Sequence, residues 1–478
     1  MAENNSILAK TKILCTLGPA TDTTEKIREL INAGCNGVRL NFSHGNKDYF
    51  TTIFNNIHKA CLAENTPLAI LADLQGPKIR IGELITPEIE LITGKTIEII
   101  SEDIKGTSEK ISTSYKPLIK DAQTGDSILI DDGLLRLKVL QKGKDSLNCL
   151  IVNGGILRPR KGMNLPGMKL STPSITEKDY ENLEFILQRR IDYIALSFVR
   201  KADDIIELKK WLKAKGKETP VIAKIEKKEA YDDFDSILEV SDGIMVARGD
   251  LGVELPPQEV PLIQKEIIKK CNSKGKLVIT ATQMLESMIQ NPVPTRAEAS
   301  DVANAVLDGT GVVMLSGETS IGKFPVATVK MMSSIILNAE THLQPLKDKE
   351  YETPSTVEEN LFDSVGRSIV SLSRHVKADA IVVFTFKGRT AFNLSKYRPK
   401  AEIIALSNSF ETMNNLSLRW GVISFFSECI DKEHLAIDEA KKSLLEAGLI
   451  KKDDLVIFTA GAPYSERSRA SWLRFEVI

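Results

Sequence analysis

Residues 220–250 read PVIAKIEKKEAYDDFDSILEVSDGIMVARGD, and they hold two short apolar runs, PVIAKIE from Pro220 and GIMVARGD from Gly243, each ending in charged residues. Continuous apolar runs of this length, separated by helix-length stretches, are how parallel strands covered on both faces appear in a βαβ protein. Working outward, the same unit recurs at KILCTLG from Lys12, GVRLNFS from Gly37, LAILADL from Leu68, DYIALSF from Asp192, LVITATQ from Leu277 and GVVMLSG from Gly311. Helical patterns follow, for example around Ile27 to Ile31, Ile205 to Leu212, Ile263 to Lys270, Ala297 to Leu307 and Ala327 to Leu337. Eight strand–helix repeats predict an α/β fold with a closed (β/α)₈ barrel rather than an open sheet, spanning residues 1–75 and 172–345.

The third repeat is interrupted. Between Gln75 and about Ser171 the pattern changes to alternation with turn residues, as in IELITGKTIEII and DSILIDDGLLRLKVL, which predicts an all-β insert over residues 76–171. It enters after the C-terminal end of a strand, so it must sit over the barrel face that carries chemistry in such folds, and we expect it to act as a lid. After the eighth repeat a polar stretch, HLQPLKDKEYETPSTVEEN, leads to fresh βα patterns at ADAIVVFTF, AEIIALS, GVISFFS and DLVIFTA. These predict a third, α/β domain over residues 354–478.

The bulk numbers suit this plan. The 478 residues allow roughly three compact units, and 42% hydrophobic with 27% charged residues describes a folded chain. Lys plus Arg total 63 against 64 for Asp plus Glu, so there is no bulk field to hold nucleic acid or an acidic membrane surface. Six cysteines stand singly, without metal-ligand spacing or a disulfide framework, as expected in a reducing cytoplasm. No basic segment leads into an apolar one at the start, and no apolar run approaches a bilayer span, so neither export nor anchoring is expected.

Polar residues at strand C-termini are the candidate site. Strand two ends in Arg39, Asn41 and Ser43, strand three in Asp73, strand five in Lys224 and Glu226, strand six in Arg248 and Asp250, strand seven in Thr280 and Thr282, and strand eight in Ser316 and Glu318. Spacing by two turns both members of a pair to one side of the wall, so Thr282 is expected to share the inward face with Thr280, nearer the mouth. Lys224 and Glu226 fit either a buried ion pair or a reaction site. Asp250 on the next strand tips the reading toward a metal, because Mg²⁺ takes one or two carboxylates and completes its shell with water and substrate oxygens. Lys224 would then hold a phosphoryl group or an enolate oxygen. The spacings of Thr280 with Gln283 and of Thr295 with Glu298 match capping boxes and need no catalytic explanation. His44 is the only histidine in a candidate motif.

At these residues the chain resembles the pyruvate kinase family, in order, through RLNFSH from Arg39, DLQGPKIR from Asp73, KGMNLPG from Lys161, AKIE from Ala223, MVARGDLGVE from Met245, ITATQMLESM from Ile279 and PTRAEASDVANAVLDGT from Pro294. The resemblance implies transfer of phosphate from phosphoenolpyruvate to ADP, then protonation of the enolate to pyruvate. It implies Mg²⁺, or Mn²⁺, on Glu226 and Asp250, and Lys224 on the phosphoryl group in flight. Gly249 and Asp250 would offer N–H groups to the substrate carboxylate, and Thr282 would help orient protonation, with Ser316 and Glu318 in a proton relay. Arg39 and Arg80 would meet phosphates, and Lys161 from the lid, with Asn41 and His44, the nucleotide.

Many members hold K⁺ near Asn41, Ser43, Asp73 and a following threonine, with glutamate in GPEIR; here Leu74 follows Asp73 and the motif reads GPKIR. Lys78 either supplies the missing charge, making added K⁺ unnecessary, or points to solvent. In the third domain TFKGRTAFNLSKYRP resembles the family's effector-phosphate loop through Thr385, Lys387, Gly388, Arg389 and Thr390, with Ser465, Arg467 and Ser468 in a companion loop; a βα turn with a basic rim is the plainer reading. A phosphorylated activator and a homotetramer are expected by resemblance alone. Other readings are a Mg²⁺-dependent aldolase or mutase, which would need no nucleotide lid, and a metabolite-sensing relative without turnover.

Overall fold

The computed structural model describes residues 9–343, 351–428, 433–461 and 470–478. Parallel strands Lys12–Thr16, Gly37–Asn41, Ala69–Asp73, Tyr193–Leu196, Val221–Ile225, Gly243–Ala247, Leu277–Ala281 and Val312–Leu315 close into a barrel. Closure is made by the first strand, which pairs with the eighth from Lys12↔Val312 and with the second from Leu14↔Gly37. Alternation sorts the wall. Leu14, Leu71, Ile222, Met245, Ile279 and Met314 fill the interior, while their neighbours Ile13, Ile70, Ala223, Ile244, Val278 and Val313 pack outward against the helices. The helices start where capping chemistry puts them: Thr295 and Glu298 form the reciprocal box that opens Arg296–Leu307, and Thr176 with Asp179 opens Glu177–Ile186.

The insert is the expected β unit. Strands Met163–Asn164, Ser127–Ile130, Leu135–Lys142, Ser146–Asn153, Thr96–Ile100 and Lys110–Ser112 form one sheet in that spatial order, over a core of its own that includes Ile99, Leu137 and Cys149. Its tip comes down on the barrel mouth: a Cβ placed on Gly133 would stand 3.8 Å from Val253, in the short helix Arg248–Glu254. Its two connections are gripped by the residues after the fourth barrel strand. Gly76, at φ +64, packs against the ring of Phe198. On the exit side Ser174 Oγ donates to Phe198 O at 3.0 Å and Arg200 Nη1 to Leu170 O at 2.9 Å.

The C-terminal sheet carries the four expected strands, Ala380–Phe384, Glu402–Ser407, Val422–Phe426 and Leu455–Gly461, all parallel. A fifth strand, Ala470–Val477, pairs antiparallel with the last of these and was not expected. It lies at the sheet edge, where Leu473, Phe475 and Val477 alternate onto an exposed face while Trp472, on the other side, packs against the core of the sheet.

This unit docks under the barrel, at the end opposite the lid. Ser417 Oγ donates to Asn36 O at 2.9 Å, Tyr193 Oη to Asn415 O at 2.6 Å and Lys12 Nζ to Val422 O at 2.9 Å. Leu418 is fully buried within the barrel's interior cluster, so one side chain of the C-terminal unit forms part of the barrel floor. Among the described residues no helix is long and apolar enough to cross a membrane.

Candidate active site

The mouth is built by continuing the inward-facing register one step past the apolar layers. Arg39, Asp73 and Lys224 occupy inward positions of strands two, three and five, in phase with Gly37, Leu71 and Ile222. Lys224 Nζ lies 2.8 Å from Glu226 Oε1 and 3.3 Å from Asp73 Oδ1, and donates to Ser197 Oγ at 2.7 Å. Arg39 Nε donates to Asp73 Oδ2 at 2.7 Å, and its Nη1 donates to Thr16 Oγ1 at 3.1 Å. Burial by itself would pull the Lys224 pKa down, yet Asp73 and Glu226 more than reverse that and the net shift is upward. Its neighbours therefore favour the ammonium form of Lys224. Burial likewise pushes Asp73 toward its neutral form, and Lys224 and Arg39 overturn it, leaving the carboxyl below its usual range.

Glu226 uses one oxygen on Lys224 and accepts the Phe198 N–H on the other at 2.9 Å. Asp250 differs. Among the described residues its carboxylate makes neither an ion pair nor a hydrogen bond, and its pKa is pushed up to about 6, first by burial and then by repulsion from Glu226. Its side chain is open to water. Two carboxylates that repel each other, one of them unclaimed, are a donor set suited to a divalent cation. Asp250 also feels Lys78 from the start of the lid and Asp132 from its tip.

The remaining expected residues fall into three groups. Around the phosphate side, the His44 pKa is lowered by burial and then by Lys78, Arg80 and Arg39, which places these charges together. Lys161 pairs with Asp131 at 2.8 Å, and Arg80 Nη1 donates to Arg160 O at 3.0 Å. Lys78 is exposed and, among the described residues, makes no ion pair.

A second group is committed locally. The Asn41 carbonyl oxygen Oδ1 accepts the Ser43 N–H at 3.1 Å, and Leu74 buries its side chain and gives its carbonyl to Ser197 Oγ at 2.8 Å. Glu318 is fully buried and accepts N–H groups from Leu285 at 3.1 Å and Ser316 at 2.7 Å, which ties the loops after strands seven and eight together.

Strand seven corrects the alternation argument. Leu277, Ile279 and Ala281 face inward, so Thr280 points outward, where its hydroxyl meets Thr310 Oγ1 at 2.9 Å. No helix starts at Thr280, so its spacing to Gln283 is no capping box. Thr282 still reaches the mouth, because the backbone turns over at Thr282, φ 69, and Gln283, φ 53. Its Oγ1 accepts the Gly249 N–H at 2.8 Å, so in this structure that N–H is already engaged.

At the far end, Thr385 Oγ1 accepts the Gly388 N–H at 3.0 Å, Thr390 is buried, and the Arg389 guanidinium stands 5.5 Å over the Phe362 ring at the start of helix Arg389–Lys396. Lys387 lies exposed in the same turn. Ser465, Arg467 and Ser468 lie outside the described residues.

Sequence reasoning missed Ser197, Phe198 and Thr16. Ser197 and Thr16 follow Ala195 and Leu14 by two residues, so alternation was a usable signal; Phe198 acts through its backbone at φ 56, and nothing in its side-chain type announces that.

A closed (β/α)₈ barrel with a lysine between carboxylates at its C-terminal mouth, under an inserted β lid and joined to an α/β unit, defines a class: the barrel phosphotransferases. Residues 8–329 match the family model for the pyruvate kinase barrel domain, and residues 363–474 that for the pyruvate kinase alpha/beta domain. The chain belongs to the pyruvate kinase family. It is 43% identical over 473 residues to a pyruvate kinase of Staphylococcus aureus strain MRSA252, covering 98% of this chain and 81% of that one. It is 44% identical over 475 residues to one of Geobacillus stearothermophilus, covering 98% and 80%. The crystal structure of a pyruvate kinase from Cryptosporidium parvum superposes with a TM-score of 0.92 at 38% identity, covering 100% of this chain and 98% of that one. These matches make the chain a phosphotransferase of glycolysis, from a family that uses a divalent cation, and they do not favour an aldolase, a mutase or a sensor without turnover.

Proposed function

We propose that this mouth transfers the phosphoryl group of phosphoenolpyruvate to ADP, giving ATP and pyruvate, with each step assigned to named side chains. The observation that carries the assignment is Lys224 bridging Asp73 and Glu226 while the Asp250 carboxylate beside them stays unclaimed. Lys224, kept charged by its neighbours, lies against the phosphoryl group as its negative charge spreads over the oxygens, and Arg39, on the other oxygen of Asp73, holds the phosphate beside it. Glu226 and Asp250 would hold Mg²⁺, or Mn²⁺, which when bound would neutralise phosphate charge. Gly249 and Asp250 take the substrate carboxylate through their N–H groups once Thr282 rotates off Gly249. Thr282 then orients the proton that reaches the enolate carbon, with Ser316 and the loop fastened by Glu318 behind it.

Lys161, Arg80, Asn41 and His44 receive the nucleotide under the lid, and closure excludes the water that would otherwise take the phosphoryl group. Asn41, Ser43 and Asp73 line the side where a monovalent cation sits in relatives that need one, and Lys78 supplies that charge here. The functional units are the barrel, 1–75 and 172–345, the lid, 76–171, and the effector domain, 354–478. In the last of these, Thr385, Lys387, Gly388, Arg389 and Thr390, with Ser465, Arg467 and Ser468, bind a phosphorylated activator. A cytoplasmic homotetramer completes the reading. A coupled assay with ADP, Mg²⁺ and phosphoenolpyruvate should form pyruvate and ATP in equal amounts; pyruvate formed without ATP, or neither product, would overturn it.

A further inference from the structure

Arg248 stands at the end of strand six, yet its side chain turns away from Asp250 and toward strand seven. Its Nε donates to Ala281 O at 3.2 Å and its Nη2 to Thr282 O at 2.6 Å, with Nη2 also 2.8 Å from Met284 Sδ. Its Nη1 meets both oxygens of Asp301, at 2.8 and 2.7 Å, on helix Arg296–Leu307. One largely buried guanidinium therefore brackets the turn from Ala281 to Met284 and is itself anchored on a separate helix.

That turn needs bracketing. Thr282 and Gln283 sit consecutively in the left-handed region, a conformation that strains a side-chain-bearing residue and is a marked outlier for a β-branched one. Such a pair persists only when its surroundings fix it. The Thr282 hydroxyl donates to Ala281 O at 2.7 Å and accepts from Gly249 N at 2.8 Å; once the substrate carboxylate takes the Gly249 N–H, the backbone of the turn is what sets where that hydroxyl points.

We infer that Arg248 is a positioning residue: strutted on Asp301, it holds the 281–284 turn so that the Thr282 hydroxyl is aimed for the protonation of the enolate. The inference rests on the function proposed above and deepens it. Its signature belongs to one chemical step. In the reverse sense of that step a methyl C–H bond of pyruvate breaks, its proton passes to the site and its electron pair becomes the enolate; in D₂O the carbon is then reprotonated with deuterium, and no oxidant or co-reactant is required.

The test is deuterium uptake into the pyruvate methyl group, followed by NMR on full-length enzyme with Mg²⁺ and ATP present, for wild type, Arg248→Met, Thr282→Ala and the double variant. Arg248→Met and Thr282→Ala should each slow exchange tenfold or more. The double variant should be within about twofold of Thr282→Ala, because a strut has nothing to position once the hydroxyl is gone. Millimolar guanidinium should restore part of the Arg248→Met rate and leave Thr282→Ala unchanged. Exchange by Arg248→Met within twofold of wild type, or a double variant slowed by the product of the two single effects, overturns the inference. A wild type that forms no ATP counts against the proposed function instead. If Arg248→Met does not fold, Asp301→Asn decides: exchange slowed threefold or more supports the strut, and unchanged exchange removes it.

Discussion

At the scale of single residues, the mouth is a matter of which charge each neighbour can afford. Lys224 is surrounded by more negative charge than its burial opposes, so its removal leaves Asp73 and Glu226 facing each other across a gap as well as an unstabilised phosphoryl group. Lys224→Met should therefore lower kcat by about 10²- to 10³-fold, the scale on which loss of one preorganised electrostatic donor is felt, and single-turnover ATP formation measures it. Lys78 makes a second prediction. It bears on both Asp250 and His44, so the rate in Tris or tetramethylammonium buffer should rise less than about tenfold on adding K⁺, a barrier change below about 1.4 kcal/mol. Lys78→Glu should bring back a requirement for K⁺; equal K⁺ responses in the two proteins would show that the ammonium plays no such part.

Among the elements, the lid's entry is the place where strain and packing meet. A methyl group on Gly76 would fall 2.7 Å from Phe198 Cδ2 while the backbone sits at φ +64, and Phe198 in turn donates its N–H to Glu226. Gly76→Ala should cost about 1–3 kcal/mol locally and raise the KM for ADP together with a fall in kcat, whereas a change in thermal midpoint alone would confine Gly76 to a structural part. The barrel strands were legible because each is an unbroken apolar run between helices, and the lid because its period changes from helical to two. Within the site, Arg39, Asp73 and Lys224 were legible because they keep the phase of the strand beneath them. Thr280 was misassigned because Thr282 leaves that phase through a left-handed turn, a backbone event that side-chain periodicity does not record. The edge strand Ala470–Val477 does alternate through Leu473, Phe475 and Val477, but Arg474 and Glu476 break the continuous apolar run by which the parallel strands of this domain are read.

For the whole molecule, the junction beneath the barrel is governed by buried charge. Burial is the main reason that the Lys12 pKa is lowered from 10.5 to about 8, against the opposing pull of Glu402 and Glu340. Between these values the unfolded chain binds more protons than the folded one, so stability rises with pH across that window; below about pH 8 both states carry the proton and the cost of burying it is fully present. Wild type should thus gain on Lys12→Met between pH 7 and 9.5, by on the order of 1 kcal/mol, as the difference between their thermal midpoints. A pH-independent difference would mean that Lys12 is not the titrating group. Leu418, meanwhile, is a stopper borrowed from a neighbour. A chain severed between its two larger units would leave one fragment with an unplugged hole and the other with a bare leucine, so the fragments should co-elute as a single particle, and neither should stay in solution by itself.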